Sequence, residues 1–194
     1  MHRLVVRAVE EFLRDTYGAN LWRQVEISCA VEQVAAAAPA GRLPGGAERM
    51  IAAAGAILEK PEGELYEDLG AWLARREAIR RLLRFSGRDF ADFVLSLEEL
   101  PDRAHFVIPD LEMPRIRVER EEDGTMRLLL DPLAPAWCAI LGGLLRAMAD
   151  DYGALGLVAV GGRAVQVQIP EASFAEGRDF HLEQGDVPNA AGLR

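Results

Sequence analysis

Leu4, Val5, Ala8, Val9, Phe12 and Leu13 recur every three or four residues, while Arg7, Glu10, Glu11 and Arg14 fall on the opposite face. That spacing lines one side of a helix, so an amphipathic helix opens the chain and Gly18 is placed to stop it. The same period predicts further helices at about 26–38, 47–59, 63–84 and 88–100. They are separated by "PAGRLPGG", "KPEGE" and "FSGRD", whose Ser86 and Gly87 suit a helix junction. The first half of the chain therefore reads as helical throughout.

After Pro114 the period changes from helical to alternating. "RIRVER" and "MRLLLD" flank the turn signal Asp123-Gly124, which makes a hairpin. Residues 136–152 return to an apolar helix that Gly153 ends, and "LGLVAV" and "RAVQVQI" form a second hairpin around Gly161-Gly162. The expected fold class is α+β: a helical N-terminal part, then a small antiparallel sheet of about four strands made of two hairpins around one helix. We expect one domain over residues 1–180, helical over 1–100 and hairpin–helix–hairpin over 101–180. Residues 181–194, "HLEQGDVPNAAGLR", have little to bury and are expected to form a disordered tail.

Composition narrows the function classes. The chain has 194 residues, half of them apolar, enough for a core of ordinary size. Its net charge of −9 repels phosphates, which argues against nucleic acid or an anionic membrane surface as partner, although a local basic patch is compatible with it. Charges interrupt the first helix, so no secretory leader is expected there, and no apolar run approaches the roughly 20 residues of a spanning helix. Cys29 and Cys138 belong to no CxxC or Cys/His cluster. Cytoplasm is the expected compartment.

The search for catalytic chemistry finds none. Gly142-Gly143 lies inside an apolar helix without the Lys-Ser/Thr of a phosphate loop, so close packing is the simpler role. Glu98-Glu99 and Asp150-Asp151 are sequence neighbours that point to different helix faces, and are expected to be solvated. No GxSxG context surrounds any serine. Cys138, beside Trp137, reads as a small core residue at a helix start. His2 is near a terminus and His181 falls in the tail, which leaves His105 as the histidine expected within the fold. The chain is not expected to be an enzyme or to hold a metal.

Several motifs in order carry a family resemblance. The first is "YGANLW", with Tyr17, Gly18 and Trp22 at the spacing Tyr/Phe-Gly-x-x-x-Trp; next comes "LLRFSGRDFADFVLSLEEL". The third is "DRAHFVIPDLEMP", with Arg103, Ile108-Pro109 and Met113-Pro114. In this series the chain resembles the heme-nitric oxide/oxygen-binding domain family, bacterial sensors related to the amino-terminal domain of the soluble guanylate cyclase β subunit. The resemblance covers about residues 1–180.

It implies a heme pocket with two defining motifs, and both are altered. The family's Leu-Asp-x-Leu-His, whose histidine binds iron, reads "LEELP", placing Pro101 at the ligand position. A proline side chain offers iron no lone pair. The Tyr-x-Ser-x-Arg that holds the propionates aligns with Leu130, Pro132 and Ala134, none of which is polar. Arg3 replaces a usual glycine, and Val5 and Val9 are expected to face the pocket as cavity lining or as part of a filled core.

No cofactor is therefore expected. The resemblance implies a heme-free regulatory module that takes another apolar small ligand or none, and acts through a partner such as a histidine kinase or a cyclic-dinucleotide enzyme. The alternative is a heme sensor of nitric oxide or oxygen with His105 as replacement ligand. One helical turn separates His105 from the ligand position, roughly 6 Å, against an iron–nitrogen bond of about 2 Å. His105 is expected instead to be partly buried and hydrogen-bonded under the sheet.

Overall fold

The first helical stripe is interrupted at Gly18, where its stop is expected, but the chain turns helical again at once. In a computed structural model of the chain, which describes residues 3–35, 46–107, 111, 113–132, 134–161 and 164–170, helix α1 runs Arg3–Ala35 and bends at Gly18. Gly18 has φ 86° and ψ 167°, a conformation that glycine adopts without a Cβ penalty, and the helix resumes at once beyond it. The expected start of a second helix near residue 26 is thus too late. The expected tail and Gly162 lie outside the described residues.

The remaining helices are α2 (Gly46–Leu58), α3 (Glu62–Arg75), α4 (Glu77–Arg84), α5 (Phe90–Ser96), a 3₁₀ turn (Leu97–Glu99), α6 (Leu100–Val107) and α7 (Pro135–Tyr152). The single helix expected over 63–84 is two, because Arg76 is extended (φ −69°, ψ 121°). Its guanidinium is held by Glu11 and Asp15 of α1 and stacks on Trp72. Likewise the helix expected to end at 100 tightens into the 3₁₀ turn and continues as α6 through Pro101.

Strands β1 (Arg115–Arg120), β2 (Met126–Asp131), β3 (Leu157–Val160) and β4 (Ala164–Gln168) form one antiparallel sheet in the order β1-β2-β4-β3. The register aligns Val118, Leu128, Val165 and Val160 in one row across all four strands, with Met126, Val167 and Val158 in the next. These alternate residues enter one core with Phe90, Phe93, Leu97, Leu141, Leu145 and Met148 from α5, the 3₁₀ turn and α7. The first hairpin is closed as its turn signal demands: Gly124 has φ 84°, and the Asp123 carboxylate accepts the Thr125 N–H at 2.9 Å.

A second core lies between α1, α2 and α3, where Val9, Phe12, Leu13, Ile51 and Leu65 are buried. The two cores meet where α3 crosses α7. A Cβ on Gly70 would lie 1.9 Å from the Ile140 carbonyl oxygen, and one on Gly143 would lie 1.8 Å from that of Glu67. Gly142-Gly143 therefore does permit close packing, with Gly142 accommodating Val160. Arg146 pairs with Glu67 across the same crossing.

Both sheet edges receive a side chain from the helical layer. Arg146 donates to the Val158 carbonyl of β3 at 3.1 Å, and Glu98 accepts the Val118 N–H of β1 at 2.7 Å. Each satisfies an outward backbone group that an unguarded edge would offer to another strand.

Candidate functional site

Pro101 occupies the first turn of α6, half-buried, where a missing backbone N–H is tolerated because the Leu97 carbonyl four residues back already accepts the Leu100 N–H. α6 is positioned from two sides. Leu100 packs on the sheet core, and Arg103 donates to Ser86 Oγ and to the Ser96 carbonyl, both at 2.8 Å.

His105 lies one turn further along this helix, in its last turn. It is exposed, as is Phe106 beside it, whereas Leu100, Pro101 and Ala104 are half-buried. The expectation of a partly buried histidine beneath the sheet is corrected. At i+4 from Pro101 the His105 Cβ shares that residue's face, so the exposure follows from its place in the last turn of α6 and not from helical phase.

Leu130, Pro132 and Ala134 do not converge on a common polar site. Leu130 is inside β2 and 6 % exposed, packed in the sheet core opposite Ile116. Pro132 is exposed just beyond the strand, after a cis Asp131–Pro132 bond. Ala134 precedes α7 and gives it no side-chain cap. Trp137 packs against the same core, and Cys138 is fully buried, its thiol pushed up by burial. Val9 is buried and Val5 half-buried in the second core, so both contribute to packing against α2 and α3.

The volume between α5–α6 and the sheet is thus occupied by hydrocarbon. Leu97, Leu128 and Leu145 are fully buried there, and Leu141 is 1 % exposed. Among the described residues no group of three His, Cys, Asp or Glu side chains can hold a metal ion, and no helix is long and apolar enough to cross a membrane.

Two charged clusters depart from what sequence reasoning supplied. Asp151, expected to be solvated, is only 16 % exposed at its side chain and accepts from Arg80 at 2.6 Å. Tyr17 donates to Asp68 at 2.6 Å, and Lys60, the single lysine, pairs with the same carboxylate. Burial first, then this carboxylate, raise the Tyr17 phenol, and the same bond raises the Lys60 ammonium. The triad ties α1, beside its bend, to α3.

Two clefts are lined by none of the residues expected to form a site, although one borders Ala134 through Pro135 and Ala136. One, of about 440 Å³, lies where α2, α3 and α7 begin. Tyr66 lines it with Glu48 and Glu62, and its pKa is pushed up to about 12, by burial foremost and by those carboxylates. The other, of about 950 Å³, is open to solvent between the end of α4 and α5, lined by Arg84 to Arg88, Asp92, Leu95, Ser96 and Glu99. Sequence reasoning took "FSGRD" only as a helix junction. The signal it passed over is an exposed Phe85 in the middle of an arginine run.

Comparison with known proteins places this arrangement. The family model for haem-NO-binding proteins matches residues 2–154. Among solved structures, an H-NOX protein from S. oneidensis in the Fe(II)NO ligation state superposes with a TM-score of 0.63 at 14 % identity, covering 86 % of this chain and 97 % of its own. A mutant H-NOX from T. tengcongensis gives 0.65 at 15 % identity, covering 87 % and 97 %. Unliganded Fe(II) H-NOX from K. algicida gives 0.65 at 13 %, covering 86 % and 94 %. No curated protein matches.

Proposed function

Because the chain belongs to the haem-NO-binding family, we propose that it is a haem-free regulatory module of that fold, working by contact with a partner signalling protein. The family implies the partner class, a histidine kinase or a cyclic-dinucleotide enzyme. The single domain expected over residues 1–180 is part of this proposal.

The observation that carries the reading is the hydrocarbon packing between α5–α6 and the sheet. Haem needs an electron-pair donor for iron and partners for two carboxylates. In this reading the four positions that should supply them carry Pro101, Leu130, Pro132 and Ala134, and Leu130 projects into the packed core. A buried unpaired carboxylate costs several kcal/mol even after relaxation, in addition to the missing iron bond. The residues present do not fit the group. The exposure of His105 also argues against it as a replacement ligand. With Val5 and Val9 in the second core and Leu130 and Trp137 in the first, interaction is better supported than binding of another small apolar ligand.

Hemin titration of the purified chain, followed by absorbance, tests this reading. The expected result is a broad, non-saturating Soret band that His105→Ala leaves unchanged. Stoichiometric uptake with a sharp Soret band, abolished by any single side-chain substitution, refutes it.

A further inference from the structure

We propose that the face of the sheet turned away from the helices is covered by the chain's own residues 171–180, so that a partner reaches this face only by displacing them. The inference goes beyond the regulatory reading and stands whether or not haem binds. The register puts Val118, Leu128, Val165 and Val160 on the face that packs against the helices. Their neighbours along each strand turn the other way. Leu157 and Ala159 of β3, Gln166 of β4, and Arg127 and Leu129 of β2 therefore share the opposite face. Leu157 is 55 % exposed there, and Leu155 equally so. Gly156 between them faces inward, so close to Phe90 that a Cβ would lie 2.8 Å from its ring. The two leucines thus form one outward apolar step at the start of β3.

The chain leaves the sheet beside that step, and this selects the occupant. Gln168 ends β4 directly opposite Leu157, Ile169 packs on the sheet core, and Pro170 already departs from the strand as a 3₁₀ residue. Residue 174 follows four residues later, about 13 Å of extended chain. Leu157 is nearer than that, one strand across and two residues back, about 5 Å by about 7 Å. In "EASFAEGRDF", residues 171–180, the two phenylalanines are an even number of positions apart. An extended chain would show Phe174 and Phe180 on one side with Ala172 and Glu176, and Glu171, Ser173 and Asp179 on the other. Six extended residues span about 20 Å, close to the diagonal of about 17 Å from Leu157 to Leu129, two strands over and four residues along.

A polar group on the same face points to an incoming acceptor. Arg127 pairs with Glu121 at 3.4 Å through a terminal nitrogen, but its Nε is buried without a hydrogen-bond partner among the described residues. A buried donor left unmatched is costly. Arg127 lies beside the diagonal, in the row of Ala159 and Gln166, where Glu176 between the two phenylalanines would bring a carboxylate. A second copy of the chain is the less favourable occupant, because docking a tethered segment avoids the freedom lost when two chains associate.

Hydrogen–deuterium exchange of the full chain, read by mass spectrometry, tests the cover. The amides of residues 172–180 are expected to exchange at least about tenfold more slowly than in the free peptide of the same sequence. Phe174→Ser and Leu157→Ser are each expected to remove that slowing, and Glu176→Ala to reduce it about fivefold, the effect of one lost hydrogen bond. Leu82→Ser, at a residue 68 % exposed on α4, is expected to change nothing. Circular dichroism checks that each variant is folded. Phe174→Ser alters no residue of the two cores, so its effect is separable from a loss of folding.

The proposal is overturned if those amides exchange at the free-peptide rate in the wild type, or if the slowing survives Phe174→Ser, Leu157→Ser or Glu176→Ala unchanged. Equal loss on Leu82→Ser overturns it as well. So does a slowing that appears only at concentrations where light scattering shows a dimer, which would make a second copy the occupant.

Discussion

Gly143→Ala measures how much of this fold depends on the crossing of α3 and α7. The added Cβ would sit 1.8 Å from the Glu67 carbonyl oxygen and 3.0 Å from the Ala71 nitrogen. An ordinary carbon–oxygen contact is about 3.3 Å, so the helices must part by about 1.5 Å. Both obstacles are backbone, so no rotamer relieves them. A gap of that size forfeits much of the dispersion contact across the interface, and overpacking of a rigid site costs about 3 kcal/mol. Alanine is favoured over glycine in a helix by about 1 kcal/mol, which leaves a net loss of about 2 kcal/mol, or roughly 4–8 °C in Tm for a chain of this length.

Two companion variants give the argument its sign. Gly142→Ala meets a Val160 methyl at 2.2 Å, a side chain rather than backbone, and is expected to cost less than Gly143→Ala. Gly63→Ala, helical with nothing within 4 Å, is expected to gain about 0.5–1 kcal/mol. Thermal unfolding followed by circular dichroism and tryptophan fluorescence, with coincident transitions, provides the order. If Gly143→Ala melts at or above the wild type, the helices are not in backbone contact and the reasoning fails.

Other expectations are briefer. Asp89→Ala removes the cap that accepts the Asp92 N–H at 2.8 Å and is expected to destabilise α5, with the wall of the cleft, by about 1 kcal/mol in urea unfolding. Absorbance at 295 nm is expected to show Tyr66 ionising near pH 12 rather than 10. Since the folded value is the higher one, its stabilisation is complete below about pH 10 and fades as pH rises through about 12, a dependence that Tyr66→Phe removes. The double variant Glu98→Ala, Arg146→Ala uncovers Val118 N–H and Val158 carbonyl at opposite sheet edges and is expected to raise light scattering at high concentration. Unchanged scattering would show that these two bonds do not guard the edges.

Local signals were legible wherever the chain's own chemistry decides the outcome. Asp123-Gly124 closes a hairpin because one residue's carboxylate and the next one's φ suffice, and Gly153 stops α7 in the left-handed conformation its place requires. The break at Arg76 was not legible, since "LARREAIRR" contains no breaker and the guanidinium of the extended residue is held by Glu11 and Asp15 from a distant segment. Asp151 reads as a surface acid until the fold brings Arg80 to it. His105 failed for a subtler reason: its exposure depends on its place in the last turn of α6, a helix that Leu100 and Arg103 hold through non-local contacts.

The candidate site divides in the same way, and the division has an energetic consequence. Missing donors are visible as residue types, whereas filled space is visible only after Leu97, Leu128, Leu130 and Leu141 are seen packed together. The two are nevertheless coupled. An empty apolar pocket of about 400 Å³, the size a bulky ligand needs, costs on the order of 10 kcal/mol at roughly 24 cal/mol per Å³. That equals the whole stability of an ordinary domain. If, as proposed, the chain lacks the atoms to retain a porphyrin, a dry cavity of that size is too costly to keep, and the chain must either admit water, which needs polar partners, or bring its walls together. In the proposed haem-free reading Leu130 does the second: one leucine in β2 both withholds a polar group and occupies volume, so the chemical and the steric sides of that proposal meet at a single side chain.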